Sequence, residues 1–273
     1  MGRIRDAKSY GYICPLMPEE EQPEDSPMSA PGNSFEMQHV YWPMREQCLY
    51  LNVWTKHLDT AAKKPVMVWL HGGGFSAGSS IEQLAYDGEN LSRAGDVVVV
   101  SVNHRLNVLG YLDLSPFGEK YRDSANAGNL DLIAALEWIR DNIEGFGGDP
   151  ENVTLFGQSG GGVKVWSLLQ MPEADGLFHK GIIESGVVDP DLLGDAEDGN
   201  GREIVKAMLA ELGLEEKDVD QLETLPYDQL AQAYEKCSTE GCTKRRICRK
   251  SSAQKSKLFR RCDQTWISGR NEK

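Results

Sequence analysis

A single serine stands in a glycine-rich turn whose residue types and spacing suit nucleophilic catalysis. Residues 157–161 read Gly-Gln-Ser-Gly-Gly, the pattern G-x-S-x-G with Ser159 at its centre. The β-branched and aromatic run at residues 153–156 predicts a strand, and residues 163–169 have helical spacing. Between a strand and a helix, such glycines let the two elements pass closely while the serine takes a strained backbone angle that projects its hydroxyl. We therefore predict that Ser159 is a catalytic nucleophile.

A second glycine-rich segment, His-Gly-Gly-Gly-Phe at residues 71–75, directly follows an apolar run that predicts a strand at residues 65–70. A glycine backbone carries no side chains, so its N–H groups can point at a ligand. In an open α/β sheet, loops that follow parallel strands meet at one edge and bind ligands there. We therefore expect an acyl-transfer site in which Ser159 attacks a carbonyl carbon and the N–H groups of Gly73, Gly74 and Gly160 hold the oxyanion.

Two other interpretations of these glycine-rich segments stay open. The run at residues 71–75 can be no more than a flexible turn. Ser159 can belong to a glycine-rich helix N-terminus that binds phosphate. Acyl transfer competes with both, and it requires the two segments to lie side by side.

The elements that would position these segments alternate along the chain. Short apolar runs predict strands at residues 49–54, 65–70, 97–102, 153–156 and 181–183. Helices are predicted around residues 81–91 and over residues 130–143, where Leu132, Leu136, Ile139 and Ile143 form one apolar stripe. Amphipathic helices are predicted at residues 202–212, 217–222 and 228–234. Alternating strands and helices indicate an α/β fold with a mainly parallel central sheet flanked by helices.

Overall charge limits the partners that the chain can bind. The 273 residues include 29 basic and 42 acidic residues, which gives a net charge of −13. This charge argues against a general affinity for nucleic acid or for an anionic membrane. No apolar run is long enough to span a bilayer, and residues 1–6 lack the apolar stretch of a secretory signal. We therefore expect a soluble, cytoplasmic protein that binds neither nucleic acid nor membrane.

The C-terminal residues differ sharply in composition from the rest of the chain. Residues 243–273 contain eleven basic and two acidic residues, a net charge of +9, so the preceding 242 residues carry −22. Four of the six cysteines also lie near this end, at Cys237, Cys242, Cys248 and Cys262. Their spacing does not match a zinc site, so we expect free thiols, no metal and no cofactor. We predict a domain over residues 1–236 and a basic tail over residues 237–273 outside the fold, with RNA binding by the tail as an alternative.

Several segments together resemble the type B carboxylesterases, a family that includes cholinesterases and bacterial p-nitrobenzyl esterases. Residues 146–161 fit the serine-site pattern of that family at every position. Residues 46–53 resemble its second motif, with Gln47 where the family usually has an acid or glycine. Residues 71–75, 100–106, 176–180 and 184–186 are also similar to family segments. The resemblance covers roughly residues 1–235. It implies an α/β-hydrolase fold and hydrolysis of small-molecule carboxylic esters through an acyl-serine intermediate.

Two departures from the family pattern affect the expected chemistry. Gln158 stands where many relatives have glutamate, so a negative charge beside the nucleophile is lost and the pH profile and substrate preference can differ. Cys14 and Cys48 match positions that form a disulfide in secreted relatives. In a cytoplasmic protein we expect these two thiols to stay reduced.

The resemblance leaves the catalytic base without an assignment. In this fold the chain order is nucleophile, acid, histidine, and His179 is the one histidine after Ser159. It precedes the strand at residues 181–183, so we expect it at the opposite edge of the sheet from Ser159. His71 and His104 are expected at the correct edge. His71 is better explained as holding the glycine loop, and relatives often have tyrosine in the place of His104.

In relatives, the acid and the histidine both come from the C-terminal half of the domain, which would lie beyond residue 273. We therefore expect a truncated domain with weak or no turnover. Similarity fades near Tyr234, and a tail read in a shifted frame or joined from elsewhere would explain the basic residues that follow. The alternative is a catalytically silent binding or adhesion module of the same fold, although such modules often lack the serine that is present here.

Overall fold

A five-stranded sheet lies at the centre of the computed structural model, which describes residues 7–17, 43–186 and 201–239. The strands are β1 (Leu51–Trp54), β2 (Lys64–Leu70), β3 (Val98–Val102), β4 (Gly148–Gln158) and β5 (Lys180–Glu184). Their order across the sheet is β1-β3-β2-β4-β5. β1 runs antiparallel to β3, and the other neighbouring pairs are parallel. The prediction of a mainly parallel central sheet is therefore confirmed.

Helices connect the strands and cover the sheet. In the described ranges the α-helices are α1 (Glu89–Gly95), α2 (Asn107–Tyr111), α3 (Ala127–Asn142), α4 (Gly160–Leu168), α5 (Gly201–Glu211) and α6 (Tyr227–Thr239). Short 3-10 helices lie at Leu84–Tyr86, Ser115–Phe117, Glu119–Tyr121, Ser124–Asn126, Ile143–Phe146, Pro172–Ala174 and Glu216–Glu223. None of the helices in this described part of the chain is long and apolar enough to cross a membrane.

The main hydrophobic core lies between the sheet and helices α3 and α4. The apolar stripe predicted for α3 is buried there, since Leu132, Leu136, Ile139 and Ile143 are each at most 2% exposed. These side chains share one cluster with alternate residues of the central strands, among them Val66, Val68, Val100 and Leu155. Burying one side chain of this size contributes about 1.5–3 kcal/mol. This layer therefore holds β2 and β4, the strands that precede the two glycine-rich segments, in fixed register.

The opposite face of the sheet is also covered, which explains why β3 is buried at every residue. On that face the ring centroid of Trp69 in β2 lies 5.0 Å from Phe156 in β4 and 4.9 Å from Tyr86. Beside β3, Gly88 packs so closely that a Cβ atom on it would lie 2.7 Å from Val99. A continuous apolar run such as residues 97–102 thus corresponds to a strand between two layers.

The helix predicted around residues 81–91 is wrong in position, because α1 begins only at Glu89 and a 3-10 turn precedes it. Asp87 favours this start, since its Oδ1 accepts a hydrogen bond from the Glu89 amide at 2.8 Å and such local bonds compete with helix formation. Further upstream, the Ser80 amide donates to Asn103 Oδ1 at 2.8 Å and ties the segment to the end of β3. Hydrogen bonds therefore override the helical spacing of residues 81–91.

A second hydrophobic cluster joins the C-terminal helices to the segments around α2. Met208 of α5 and Leu230 of α6 pack in this cluster with Val108 and Leu112. The segment predicted as a helix at residues 217–222 lies in a 3-10 helix. The helix predicted at residues 202–212 corresponds to α5, which ends one residue earlier, and residues 228–234 fall within α6. The predicted tail begins at residue 237, and its first three residues belong to α6. Residues 240–273 lie outside the described residues, so the proposed domain boundary stays a prediction.

Candidate active site

Ser159 stands between β4 and α4 in the strained conformation that its pattern predicts. Its backbone angles are φ 54° and ψ −122°, and a positive φ is unfavourable for a residue with a Cβ atom. Two backbone hydrogen bonds hold the turn: the Ser159 amide donates to Glu184 O at 2.8 Å, and the Val163 amide donates to Ser159 O at 3.1 Å. Ser159 itself is exposed. The turn therefore presents an accessible serine at the carboxyl edge of the sheet.

The glycines on either side of Ser159 are required because backbone approaches backbone there. A Cβ atom on Gly157 would lie 2.6 Å from the carbonyl carbon of Gly161 and 2.7 Å from Leu70 O. A Cβ atom on Gly161 would overlap Leu70 O and lie 2.9 Å from the carbonyl carbon of Leu70. Neither position accepts a side chain unless the end of β2 moves. The G-x-S-x-G spacing is thus a packing requirement of this turn.

The glycine-rich segment at residues 71–75, here the oxyanion loop, lies beside the serine turn. Leu70 pairs with Gly157 in the parallel ladder of β2 and β4, so both segments leave the same edge of the sheet, as predicted. A Cβ atom on Gly72 would lie 3.8 Å from Ser159 Cβ. The two segments therefore meet in the arrangement that acyl transfer requires.

The three predicted oxyanion donors come together where the oxyanion loop contacts α4. A Cβ atom on Gly160 would lie 2.5 Å from Gly74 Cα, so the two backbones touch. Gly73 and Gly74 have φ values of 78° and 62°, which glycine adopts without strain. Within the described residues their amides donate to no protein acceptor. The Gly160 amide lies at the first residue of α4, where helix amides lack an intrahelical acceptor. The loop and the helix start thus offer several backbone donors beside one exposed serine.

His179 lies beside the middle of β4, away from Ser159 and the carboxyl edge of the sheet, as predicted. The His179 amide donates to Val153 O at 2.8 Å, and the Val153 amide donates to His179 Nδ1 at 3.1 Å. Val153 precedes Ser159 along an extended strand by about 20 Å. Because a general base must come within hydrogen-bond reach of the hydroxyl, His179 does not serve Ser159 in this arrangement.

His71 and His104 lie at the correct edge but are buried behind the oxyanion loop. Their rings stack with centroids 5.1 Å apart, and each residue is at most 1% exposed. His71 Nδ1 lies 2.9 Å from Gly72 O and His104 Nδ1 lies 2.8 Å from Arg105 O, so each Nδ1 carries the donated proton. Burial, and after it the charge of Lys164, lowers the pKa of both imidazoles well below the usual value. The bond to Gly72 O agrees with the predicted role of His71 in holding the glycine loop.

Lys164 is a buried ionisable residue that sequence reasoning missed. It lies on α4, is 0% exposed, and donates a hydrogen bond from Nζ to His71 O at 2.9 Å. Burial lowers the pKa of this amine to about 7, and the charge of Glu82 opposes the shift. The available signal was a lysine inside the glycine- and valine-rich start of α4, because a cation on an otherwise apolar helix start needs a partner when it is buried.

Arg105 forms a hydrogen-bonded ion pair with Asp131, a buried carboxylate on α3. Asp131 accepts hydrogen bonds from Arg105 Nε at 2.8 Å, from Nη2 at 2.7 Å and from the Arg105 amide at 3.0 Å. The Asp131 side chain is 5% exposed and that of Arg105 is 39% exposed. This ion pair holds the segment after β3, which carries His104, against α3.

Cys14 and Cys48 are free thiols that share a small buried cluster with Leu106. A hydrogen bond with Cys48, together with burial, raises the pKa of the Cys14 thiol. The Leu106 amide donates to Cys14 Sγ at 3.2 Å. The two thiols lie together, as the resemblance implies, and are reduced in this structure. Cys242, Cys248 and Cys262 lie outside the described residues.

Comparison with known sequences agrees with this geometry. Residues 2–258 match the model of the carboxylesterase family. The chain is 42% identical over 232 residues to the para-nitrobenzyl esterase of Bacillus subtilis (strain 168), which covers 84% of this chain and 42% of that enzyme. It is also 42% identical over 186 residues to the acetylcholinesterase of Gallus gallus, which covers 67% of this chain and 22% of that protein. The chain therefore spans less than half the length of these relatives.

Solved structures show the same relationship in three dimensions. An esterase from the anaerobe Clostridium hathewayi that can hydrolyse aliphatic aromatic polyesters has a TM-score of 0.78 and 56% identity, over 88% of this chain and 46% of that one. A thermophilic PNB esterase has a TM-score of 0.68 and 37% identity, over 85% of this chain and 43% of that one. The α/β-hydrolase fold is thereby confirmed. Because the family match extends over nearly the whole chain and the fold is shared, the chain belongs to the carboxylesterase family.

Proposed function

We propose that this chain supplies the nucleophile and the oxyanion hole of a carboxylic ester hydrolase. Ser159 attacks the carbonyl carbon of the ester, the alcohol leaves, and the acyl group stays on Ser159 Oγ until water releases it as a carboxylic acid. The N–H groups of Gly73, Gly74 and Gly160 stabilise the oxyanion that forms in each step. The observation that carries this proposal is the contact of the oxyanion loop with the start of α4, beside the strained serine.

Small-molecule carboxylic esters are the proposed substrates, and the reaction needs no cofactor. Family membership supports this class, as does the name of the para-nitrobenzyl esterase that is 42% identical to the chain over 232 residues. Gln158 directly precedes the nucleophile and is exposed. A neutral amide at this place does not repel an anionic group on the substrate, which a carboxylate there would do.

We expect little turnover from this chain by itself, because its described part offers no base to Ser159. Among the described residues the Ser159 hydroxyl has no protein hydrogen-bond partner. His179 lies beside Val153, about 20 Å back along β4 from Ser159. His71 and His104 are buried, and the Nδ1 of each donates to a backbone carbonyl. Serine hydrolase sites without a triad member keep a residual acceleration of about 10³–10⁴ over water. We infer that the acid and the histidine belong to the part of the relatives that this chain does not span.

A labelling experiment with the full chain tests the proposal. Incubation with a fluorophosphonate probe should modify Ser159 slowly but stoichiometrically, while turnover of p-nitrophenyl acetate should not exceed the residual acceleration of about 10³–10⁴ over water. Ser159→Ala should abolish labelling. Ser9→Ala is the matched control, since Ser9 is an exposed loop serine, and this variant should label like the unmodified chain.

Two results would contradict parts of the proposal. Robust turnover of p-nitrophenyl acetate that disappears in Ser159→Ala would show that the chain does contain a base, so the expectation of weak activity would be wrong. Labelling no faster than that of Ser159→Ala would remove the assigned nucleophile. In that case a catalytically silent binding module of the same fold would be the better description.

A further inference from the structure

We propose that Lys164 is a positioning residue that fastens the oxyanion loop to the helix of the nucleophile. Its amine holds the loop backbone at the carbonyl of His71 and thereby sets where the Gly73 and Gly74 amides lie relative to Ser159. This inference rests on the proposed function, because it assigns a role within the same site.

The geometry links the two halves of the site through one side chain. α4 begins directly after Ser159, and Lys164 lies within its first two turns. The Nζ atom reaches across to β2 and donates to His71 O at 2.9 Å. His71 is the residue immediately before the three glycines of the oxyanion loop. A shift of this carbonyl therefore moves the first oxyanion donors directly.

Other hydrogen bonds hold the loop further along but come from different elements. The Ala77 amide donates to Gly73 O at 3.0 Å, which closes the loop on itself. The Asn107 amide of α2 donates to Phe75 O at 2.8 Å. The bond from Lys164 comes instead from α4, so it couples the loop to the element that carries the nucleophile.

The surroundings of Lys164 explain why a lysine here affects more than packing. Its ionisable neighbours are Glu82, which is 6% exposed, and the buried His71 and His104. Both imidazoles donate through Nδ1, so each Nε2 is an acceptor, and both Nε2 atoms are buried without a hydrogen-bond partner in the described part of the chain. A protonated amine offers three donors and uses one on His71 O. The charged form of Lys164 is therefore stabilised by His71 O and by the charge of Glu82, against the larger cost of its burial.

The strength of the hydrogen bond from Lys164 Nζ to His71 O should change near neutral pH. Burial lowers the pKa of the Lys164 amine to about 7, so both protonation states are accessible there. A charged amine makes a shorter and stronger hydrogen bond to a carbonyl than a neutral amine does. It also places a positive charge behind the loop that receives the oxyanion. The contribution of Lys164 should therefore be larger on the acid side of neutrality than on the alkaline side.

The test compares rates of phosphonylation of Ser159 by a p-nitrophenyl alkylphosphonate, followed through release of p-nitrophenolate. Lys164→Met keeps an unbranched side chain that is one atom shorter and removes the donor and the charge. Since a misplacement of about 1 Å can lower a rate by about 100-fold, we expect Lys164→Met to react about 10- to 100-fold more slowly. Lys180→Met is the matched control, because Lys180 is exposed on β5 and donates to Asn152 Oδ1 at 2.6 Å. It should react like the unmodified chain.

The pH profile separates positioning from a merely structural effect. The phosphonylation rate of the unmodified chain, divided by that of Lys164→Met, should fall as the pH rises from about 6 to about 9. A general loss of packing would give a ratio that does not change with pH. Lys164→Gln keeps an N–H donor without a titratable charge and serves also if Lys164→Met does not fold. At pH 9, where the lysine is neutral, Lys164→Gln should react within about threefold of the rate of the unmodified chain. At pH 6 the difference between the two rates should be larger.

Each outcome separates this inference from the proposed function. Equal rates for the unmodified chain and Lys164→Met, or a pH-independent ratio for both Lys164 variants, would overturn the positioning role while Ser159 keeps its assignment. A rate for the unmodified chain no higher than that of Ser159→Ala would overturn the proposed function and the positioning role with it.

Discussion

The substitution Gly161→Ala tests whether the serine turn is built on direct contact between backbones. The added Cβ atom would overlap Leu70 O and lie 2.9 Å from the Leu70 carbonyl carbon and 3.0 Å from His71 O. The two Leu70 atoms belong to the backbone of β2, a strand that is paired on both sides, so they cannot rotate away like the end of a side chain. The alanine therefore forces α4 and β2 apart.

The expected magnitude follows from two opposing effects. Alanine is favoured over glycine in a helix by about 1 kcal/mol. Overpacking of a well-packed core typically costs about 1–3 kcal/mol, and an overlap with a central strand justifies the upper end of that range. The free energy of unfolding should therefore fall by about 2 kcal/mol. With a urea dependence of about 2 kcal/mol per M for a domain of this size, the midpoint should move down by about 1 M.

Urea denaturation followed by tryptophan fluorescence measures this shift. Gly145→Ala is the matched control, because no atom lies within 4 Å of a Cβ atom placed on that glycine, and its effect should stay within about 0.5 kcal/mol. If Gly161→Ala is as stable as Gly145→Ala, the close approach of α4 and β2 is wrong, and the physical reason given for the G-x-S-x-G spacing is wrong with it.

The remaining predictions concern buried charges. The pKa of Lys164 is about 7 in the folded chain and about 10.4 in the unfolded chain. Between these pH values the unfolded chain binds one more proton than the folded chain. The free energy of unfolding should therefore rise with pH in that window, by up to about 1.4 kcal/mol per pH unit. In Lys164→Met this rise should be absent, and equal slopes in the two proteins would refute the burial of the amine. Asp131→Asn should lower the free energy of unfolding by about 2–3 kcal/mol, toward the low end for a buried ion pair because Arg105 is 39% exposed. The control is Asp141→Asn, because Asp141 pairs with Arg140 and its side chain is 59% exposed. This variant should change the free energy of unfolding by less than about 0.5 kcal/mol. Equal effects of the two substitutions in urea denaturation would argue against a special role for Asp131.

Much of the fold could be predicted from local patterns. The stripe of α3 follows from helical spacing, because it repeats with the period of a helix. A strand buried on both faces follows from the unbroken valine run at residues 97–100, because a central strand between two layers has apolar side chains on both faces. The helix predicted around residues 81–91 is the counterexample. Its spacing is helical, but the Asp87 side chain and the bond between Ser80 and Asn103 hold most of the segment out of a helix.

By itself, the sequence determined the serine turn, the glycine loop and the family, because these depend on residue types that follow one another along the chain. The burial of His71 and His104 behind the oxyanion loop and the position of the Lys164 amine became known from the tertiary structure alone. Lys164 and His71 are 93 residues apart, and their contact exists because parallel pairing of β2 with β4 brings the oxyanion loop and α4 together. Burial, and with it the lowered pKa of that lysine, depends on everything that packs around it. The burial of Lys164 and its pKa therefore cannot be read from the residues next to it in the chain.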